Sequence, residues 1–342
     1  MGDQDPILLK ETDLKPADGS KEPRDNLVQP FQVETLELRG RIVRLGSAVH
    51  DIISRHNYPY PIAKVLGEAL TLAACLSNSM KFEGVFTLQA IGKGPLTMIV
   101  ADVTDKGDVR GYASFDEEGM TTLYKEMSVD EDARIDIPIP KLMGDGYLSF
   151  TVDSNKVQDR YQGIVDLSGE RLGDCIHHYF QQSAQIETVI KLAADHLPNQ
   201  LATEKEWRSS ALMLQRLPVD ERETNIDERE KLEDDWKRAV VFLDSATEEE
   251  MLSHDLGVNG LLYRLFNEDG VRVFEETKIT DKCRCDKSRM QNVVVSLTQS
   301  ELEEYMTDGN LEVECQFCRK KRVYDQKKID KLKAKRNQEQ KD

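Results

Sequence analysis

The sequence predicts an α+β chain: a mainly antiparallel sheet with helices in the N-terminal part, a charged helical linker, and a small C-terminal domain organised by four cysteines. Three observations carry this. Short alternating apolar runs separated by turn residues recur over 85–167, which marks an antiparallel sheet rather than βαβ units. Residues 219–238 are nearly all charged, an abrupt change from the apolar patch before them. Cys283 and Cys285 form one close pair and Cys315 and Cys318 another, across a spacer of 29 residues.

Composition sets the bounds. At 342 residues the chain has room for two domains and a sizeable core. Apolar residues make up 39% and charged residues 32%, so long charged segments are expected. No apolar run approaches the roughly 20 residues that span a bilayer. The first residues, Met1-Gly2-Asp3-Gln4-Asp5, are acidic and lack an apolar signal region. A reducing cytoplasm is the expected location, where paired cysteines serve as metal ligands or redox groups rather than permanent disulfides. The net charge of -17 disfavours nucleic acid and anionic membranes as partners of the whole chain. From Arg319 onward, however, eleven Lys or Arg stand against four Asp or Glu, so the tail is basic.

Taken in order, residues 1–30 are polar and are expected to be a disordered extension. Alternation over 31–45 predicts a strand or a bent pair. A helix is expected over 47–56. Ile62, Val65, Leu66, Ala69, Leu70, Ala73 and Leu76 then recur at helical spacing, giving a long, largely buried helix that carries Cys75. Cys75 reads as a small apolar core residue. Strands follow at 85–91, 96–103, 109–115, 147–153 and 161–167. Gly92-Lys93-Gly94 lacks the residues of a phosphate loop and precedes a strand, so it reads as a hairpin turn. Ser168 is placed as the cap of a helix over 169–182 with Cys175, His177 and His178. A Cys175–His178 hydrolase is a conceivable reading, but no orienting acid or oxyanion loop is evident, and structural roles are preferred. Residues 186–193 read as a strand, and Leu212, Met213, Leu214 and Leu217 form an apolar patch before Pro218.

The charged segment has only Ile226, Leu232 and Trp236 as thin apolar anchors. Such a helix draws its stability from whatever it lies against. It is either a solvated linker or a conditionally stable one. Thr247-Glu-Glu-Glu250 and Thr298-Gln-Ser-Glu301 are capping boxes, each opening a short helix. Helices are expected near 258–266 and 288–297, a strand over 270–274, a hairpin of 311–314 with 322–324, and a basic helix over 325–336.

Two close cysteine pairs form a tetrahedral thiolate cage for Zn²⁺, so Cys283, Cys285, Cys315 and Cys318 are the expected ligands of one zinc ion. The first pair is Cys-x-Cys rather than the relaxed Cys-x-x-Cys. Four thiolates on a dication leave a charge of about -2, which Lys282, Arg284, Lys287, Arg319 and Lys320 can moderate. Zinc has no redox chemistry, so oxidation falls on sulfur, the metal leaves, and a domain held by metal unfolds. From spacing alone a structural ribbon and a sensor both stand.

These residues resemble those of a known family, the redox-regulated holdase heat-shock protein thirty-three. The resemblance covers about 31–331. It rests on the cysteine module, on Leu265-Phe-Asn-Glu-Asp-Gly-Val-Arg-Val-Phe274, on Tyr179-Phe-Gln-Gln-Ser-Ala-Gln185 and on Leu212-Met-Leu-Gln-Arg-Leu-Pro218. It implies a chaperone rather than an enzyme, inactive when reduced and zinc-bound. Oxidation would form the disulfides Cys283–Cys285 and Cys315–Cys318, release zinc and unfold the linker. The active form would hold unfolding clients without ATP, as a homodimer when oxidised and a monomer when reduced. The implied domains are an extension at 1–30, a core at 31–218, a linker at 219–256, a zinc-binding redox switch at 257–336 and a disordered tail at 337–342. The chain departs from the family in two places: Arg319 follows the last cysteine where glycine is usual, and Ser209-Ser210-Ala211 stands where a glycine pair is common. The alternative function is a structural zinc-ribbon adaptor that binds nucleic acid through the basic tail, by phosphate contacts that weaken steeply with salt.

Overall fold

The computed structural model describes residues 6–11, 25–154, 161–180, 186–198, 205–217 and 226–339. The expectations of disorder at 1–5, 12–24 and 340–342, and the start of the charged linker at 219–225, lie outside the described residues, whereas 337–339, expected in the disordered tail, are the end of a helix. The chain divides into two compact units, Met1–Asp281 and Lys282–Asp342.

In the first unit, β1 (Ile7–Leu8), β2 (Leu27–Val33) and β3 (Leu38–Leu45) precede α1 (Ser47–Ser54) and α2 (Tyr60–Asn78). Then come β4 (Gly84–Gly92), β5 (Leu96–Thr104), β6 (Asp108–Phe115), α3 (Glu117–Met127), α4 (Ile139–Met143), β7 (Gly146–Ser154), β8 (Tyr161–Asp166) and α5 (Leu172–Tyr179). The long strands β9 (Thr188–Pro198) and β10 (Lys205–Arg216) lead to α6 (Ile226–Ser245), α7 (Glu248–Leu252) and α8 (Val258–Phe266). Three short strands, β11 (Val271–Val273), β12 (Thr277–Lys278) and β13 (Thr280–Asp281), end the unit.

Two sheets result. One has seven strands in the order β1-β11-β2-β3-β10-β9, with β12 also on β2, all antiparallel. The other has the order β13-β6-β5-β4-β7-β8 and is antiparallel except for the short β13–β6 pairing. Helix α2 packs against strands of both sheets. It is apolar almost all round, as a helix buried on every side must be, and Ile62, Leu66, Ala69, Leu70 and Ala73 are fully buried. Small residues permit the close approach: a Cβ on Gly67 would lie 3.1 Å from Ala194 Cβ and 3.6 Å from Ser209 Cβ. The Ser209-Ser210 pair keeps this packing compatible with side chains, and Ser210 Oγ donates to Val43 O at 2.8 Å. Gly92 and Gly94 close the β4–β5 hairpin under α4, where a Cβ would meet Met143 O at 2.2 Å and Leu142 O at 2.6 Å.

The period-two alternation of β10 feeds two cores. Ala211 and Met213 face the α2 side, while Leu212 and Leu214 face the opposite side of the sheet. That second face is covered by α6, α7 and α8, through Ala239, Leu243, Met251, Leu261 and Phe266 among others. The cover is unevenly anchored. In α6, Ala239 and Leu243 are the buried residues among those described. Ile226, an expected anchor, is 75% exposed. The helix carries ion pairs instead, Arg238 to Asp269 at 2.6 Å and Glu233 to Arg216 at 2.7 Å.

Several expectations need correcting. Residues 7–8 and 27–30 are not disordered: β1 pairs with β11, Leu9 is buried, and β2 begins at Leu27 because the apolar run Leu27-Val28 belongs to the core. The charged connection at 117–127 is a helix, capped by Asp116 accepting from Glu118 N. Helix α5 starts at Leu172, and Ser168 is not its cap; the Ser168 hydroxyl instead lies 3.1 Å from His178 Nδ1. The boundary expected at 256/257 falls at Asp281/Lys282, because α8 and β11 complete the second core of the first unit. The capping boxes at Thr247 and Thr298 are formed, with Glu250 N and Glu301 N donating to the threonine hydroxyls at 3.2 and 3.3 Å.

Truncating the better α6 anchor is expected to loosen the cover selectively. Leu243→Ala should cost about 2–5 kcal/mol locally. Limited proteolysis should then cut faster within 226–266 while α2 stays resistant. An unchanged cleavage rate would show that the anchor does not hold the cover.

Candidate metal centre

The second unit is short and has a small core. Val294, Leu302, Leu311, Tyr324 and Ile329 are its buried apolar cluster. They come from α9 (Lys287–Ser296), α10 (Gln299–Tyr305), β14 (Asn310–Glu314), β15 (Lys321–Asp325) and α11 (Gln326–Glu339). Five such side chains are little for a folded unit of this length. The basic helix α11 closes this core: Ile329 is fully buried and Lys333 Nζ donates to Leu297 O at 2.8 Å.

Local sequence places the four cysteines. Cys283 and Cys285 lie in the irregular stretch before α9, whose start is fixed by Asp286 accepting from Arg289 N at 2.7 Å. Cys315 and Cys318 lie at the β14–β15 turn. There Cys315 N donates to Lys320 O at 3.1 Å, and Arg319 N donates to Cys315 O at 2.8 Å. The four Sγ atoms all lie within 4.8 Å of one another and are half-buried. Cys283 Sγ is 3.7 Å from Cys315 Sγ, and Cys285 Sγ is 3.2 Å from Cys318 Sγ. A tetrahedron of sulfurs with metal–sulfur bonds of about 2.3 Å has edges of about 3.8 Å. The cluster therefore fits a tetrahedral metal ion. Desolvation and the neighbouring sulfurs push the Cys285 thiol well above its ordinary range, and burial raises Cys318 as well. Cys285 and Cys318 therefore resist ionising here, which is the condition a bound dication reverses.

Arg319 occupies the left-handed region, with φ of 57°. This is the conformation that favours glycine, so the arginine carries a backbone cost of about 1–2 kcal/mol. Its side chain is not free to moderate the sulfur charge as expected: Nε pairs with Glu314 Oε1 at 2.5 Å. Glu314, which the sequence reading did not single out, also faces Lys321 at 3.6 Å, and its place two residues from the turn on an alternating strand was the available signal.

The other cysteines are elsewhere. Cys75 is fully buried on α2 with Met213 Sδ 3.9 Å away, and burial pushes its thiol up to about 12. Cys175 is buried, its Sγ faces Arg171 O at 3.6 Å, and burial raises its thiol too. His178 is occupied with Ser168, and His177 Nδ1 lies 3.0 Å from Thr188 O. A raised thiol without a base beside it is no activated nucleophile, so Cys175 and His178 do not form a catalytic pair.

The model of the family described as Hsp33 protein matches residues 26–325. The chain belongs to the Hsp33 family. It is 36% identical over 315 residues to the 33 kDa chaperonin of Caulobacter vibrioides strain NA1000 / CB15N, covering 92% of this chain and 97% of the relative. Its identity to the 33 kDa chaperonin of Pseudomonas fluorescens strain SBW25 is 33% over 305 residues, covering 89% and 92%. The crystal structure of the 33 kDa chaperonin from Thermotoga maritima, an Hsp33 homologue, superposes with a TM-score of 0.69 at 21% identity, covering 92% of this chain and all of that one. Membership makes the chain a chaperone of the heat-shock class, and a chaperone family implies binding of unfolded clients. The four clustered cysteines accord with a metal site in it. Among the described residues, no helix is long and apolar enough to cross a membrane.

Restoring glycine should tighten the centre. Arg319→Gly is expected to relieve on the order of 1 kcal/mol of backbone cost, partly offset by the loss of an exposed ion pair. Competition with a chelator should then show slower metal loss than in the parent protein. Faster loss would mean that the Arg319–Glu314 pair outweighs the backbone cost.

Proposed function

We propose that this chain is a redox-regulated, ATP-independent holdase of the cytoplasm, with no catalytic activity of its own, whose reduced, zinc-bound form is inactive. The observation that carries the reading is the cluster of four sulfurs in a unit with so small a core. The cluster offers soft thiolate ligands in a tetrahedron, the donor set zinc takes in structural sites. Cys283, Cys285, Cys315 and Cys318 would hold the ion, and its binding free energy would be much of the unit's folding free energy. Zinc supplies charge neutralisation and geometry; the chain's own sulfurs are the reactive groups.

Oxidation acts on those sulfurs. Two thiolates and one hypochlorous acid give one disulfide, one chloride and one hydroxide, with two electrons passing from sulfur to chlorine. Two such events consume all four thiolates, and the zinc ion leaves. The pairing Cys283–Cys285 and Cys315–Cys318 follows from the family resemblance; the sulfur distances of the reduced cluster do not select it. Loss of the metal would unfold the second unit, which continues in sequence directly from β11, β12 and β13. The weakly anchored cover of α6–α8 would loosen with it. The uncovered face of the seven-stranded sheet, with Leu212 and Leu214, would then bind unfolding clients through apolar contact. An exposed apolar face of this kind also favours pairing of two copies, so the oxidised form is expected to be a dimer and the reduced form a monomer.

Treatment of the zinc-loaded protein with hypochlorite should release about one zinc per chain and lose four free thiols, while suppressing light scattering by a denatured client. Cys318→Ser should lower zinc occupancy and raise basal activity. Zinc release with no suppression of aggregation would reject the holdase reading. Peptide mapping of the oxidised protein would reveal the pairing.

A further inference from the structure

The cover of the seven-stranded sheet is held at one end by a polar clasp. Arg44 on β3 is fully buried and Arg208 on β10 is 2% exposed. Both belong to the sheet face that carries α6–α8. Arg44 Nη1 donates to Ser253 O at 3.1 Å and to Leu256 O, and Nη2 donates to Glu250 O at 3.1 Å. Arg208 Nε donates to Leu252 O at 2.8 Å, and Nη2 to Ser253 O at 3.5 Å. The two guanidiniums thus bind carbonyls of α7 and of the turn after it, among them Glu250 O, which also accepts from Ser253 N at 3.4 Å.

One imidazole lies in this clasp. Arg208 Nη1 is 3.0 Å from His254 Nδ1. Arginine has only hydrogens to offer, so the imidazole accepts at Nδ1 and is neutral, with its proton on Nε2. Asp25 Oδ2 is the direct counter-ion, 2.7 Å from Arg208 Nη1. The groups facing His254 are Arg208 and Glu206 from β10, Asp25 two residues before β2, and Asp255 in its own turn; Arg44 from β3 holds the flanking carbonyls. Burial first, and then the Arg208 charge, hold His254 below its ordinary value, against the pull of the three carboxylates. His254 Nε2, Arg44 Nε and Asp25 Oδ1 are buried with no hydrogen-bond partner among the described residues. The clasp has little spare capacity to absorb another charge.

We propose that protonation of His254 opens this clasp, so that mild acid releases α7 and the 253–256 turn while the four cysteines remain reduced. A proton on Nδ1 would set an N–H against the Arg208 N–H and add a third cation to a pair already served by one buried carboxylate. The sign follows from the depressed folded value. The clasped state holds the proton less tightly than the released one, so its stability falls as the pH drops below the ordinary histidine value of 6.5. A second group titrates in the same neighbourhood with the opposite sign. Burial raises Glu68 on α2 to about 7, beside Lys64, Asp136, Glu248 and Arg171, so its protonation favours the packed state. Glu248 belongs to α7 and lies 3.7 Å from Lys64 Nζ. The Glu68→Gln background therefore isolates the histidine effect.

The release stands apart from the holdase reading; only its functional consequence rests on that reading. The test is hydrogen exchange of residues 248–256 in the reduced, zinc-loaded full chain between pH 7.5 and 5.5, after correction for intrinsic exchange. In the Glu68→Gln background the opening constant should rise over that interval, by at most about tenfold, and His254→Gln added to it should abolish the rise. Absence of a rise in the Glu68→Gln chain, or persistence of the rise in the double variant, would overturn the proposal. Retained protection of α2 at pH 5.5 shows that the opening is local. The hypochlorite experiment tests the holdase reading separately, in the oxidised chain, so failure of either leaves the other standing.

Discussion

Strand β10 is buried on both of its faces, and that requirement shapes the first unit. A strand with apolar side chains on both sides needs a layer on each. Helix α2 supplies one layer and is built for permanence, with small and aliphatic residues wedged between two sheets. The other layer, α6–α8, is built differently. Its longest helix is charged at eleven of its twenty residues and fixes itself by Ala239, Leu243, the partly buried Trp236 and Phe242, and a few ion pairs. Each of these pairs joins a part-exposed helix side chain to a mostly buried partner, Asp269 or Arg216. One sheet therefore carries a mostly apolar cover on one face and, on the other, a cover whose longest helix is more thinly anchored.

The second unit answers to a different constraint. Its apolar cluster is small, and its four sulfurs are the densest chemistry in the chain. A fold of that kind is stable in proportion to what binds its cysteines. The conformation of Arg319 adds a local cost at the turn that presents Cys315 and Cys318, and the Glu314 pair holds the arginine there. The larger apolar cores thus lie in one unit and the sulfur cluster in the other.

Much of this was legible in the residues. The cysteine spacing located the sulfur cluster, the helical recurrence from Ile62 to Leu76 located α2, and both capping boxes formed as written. What failed had physical causes. Ile7-Leu8 is too short a run to signal a strand without its partner β11. Of the expected anchors of α6, Trp236 packs against the second core but Ile226 is exposed, and the fully buried Ala239 and Leu243 lie further along, because periodicity in a charged helix gives little register. Arg44 and Arg208 could not be foreseen as buried, since an arginine in an alternating strand ordinarily faces water. Their partners are carbonyls roughly 45 to 210 positions away in sequence, visible only once the turn after α7 is folded.

The central claim is that the state of the four sulfurs governs the cover on the outer face of the seven-stranded sheet. Hydrogen exchange of 226–266, compared between the reduced, zinc-loaded protein and the fully oxidised, zinc-free protein at neutral pH, tests it most directly. The account predicts that α6, α7 and α8 lose protection on oxidation while α2 and β10 keep theirs. Equal protection of 226–266 in the two states, in a preparation that nevertheless suppresses client aggregation, would contradict it.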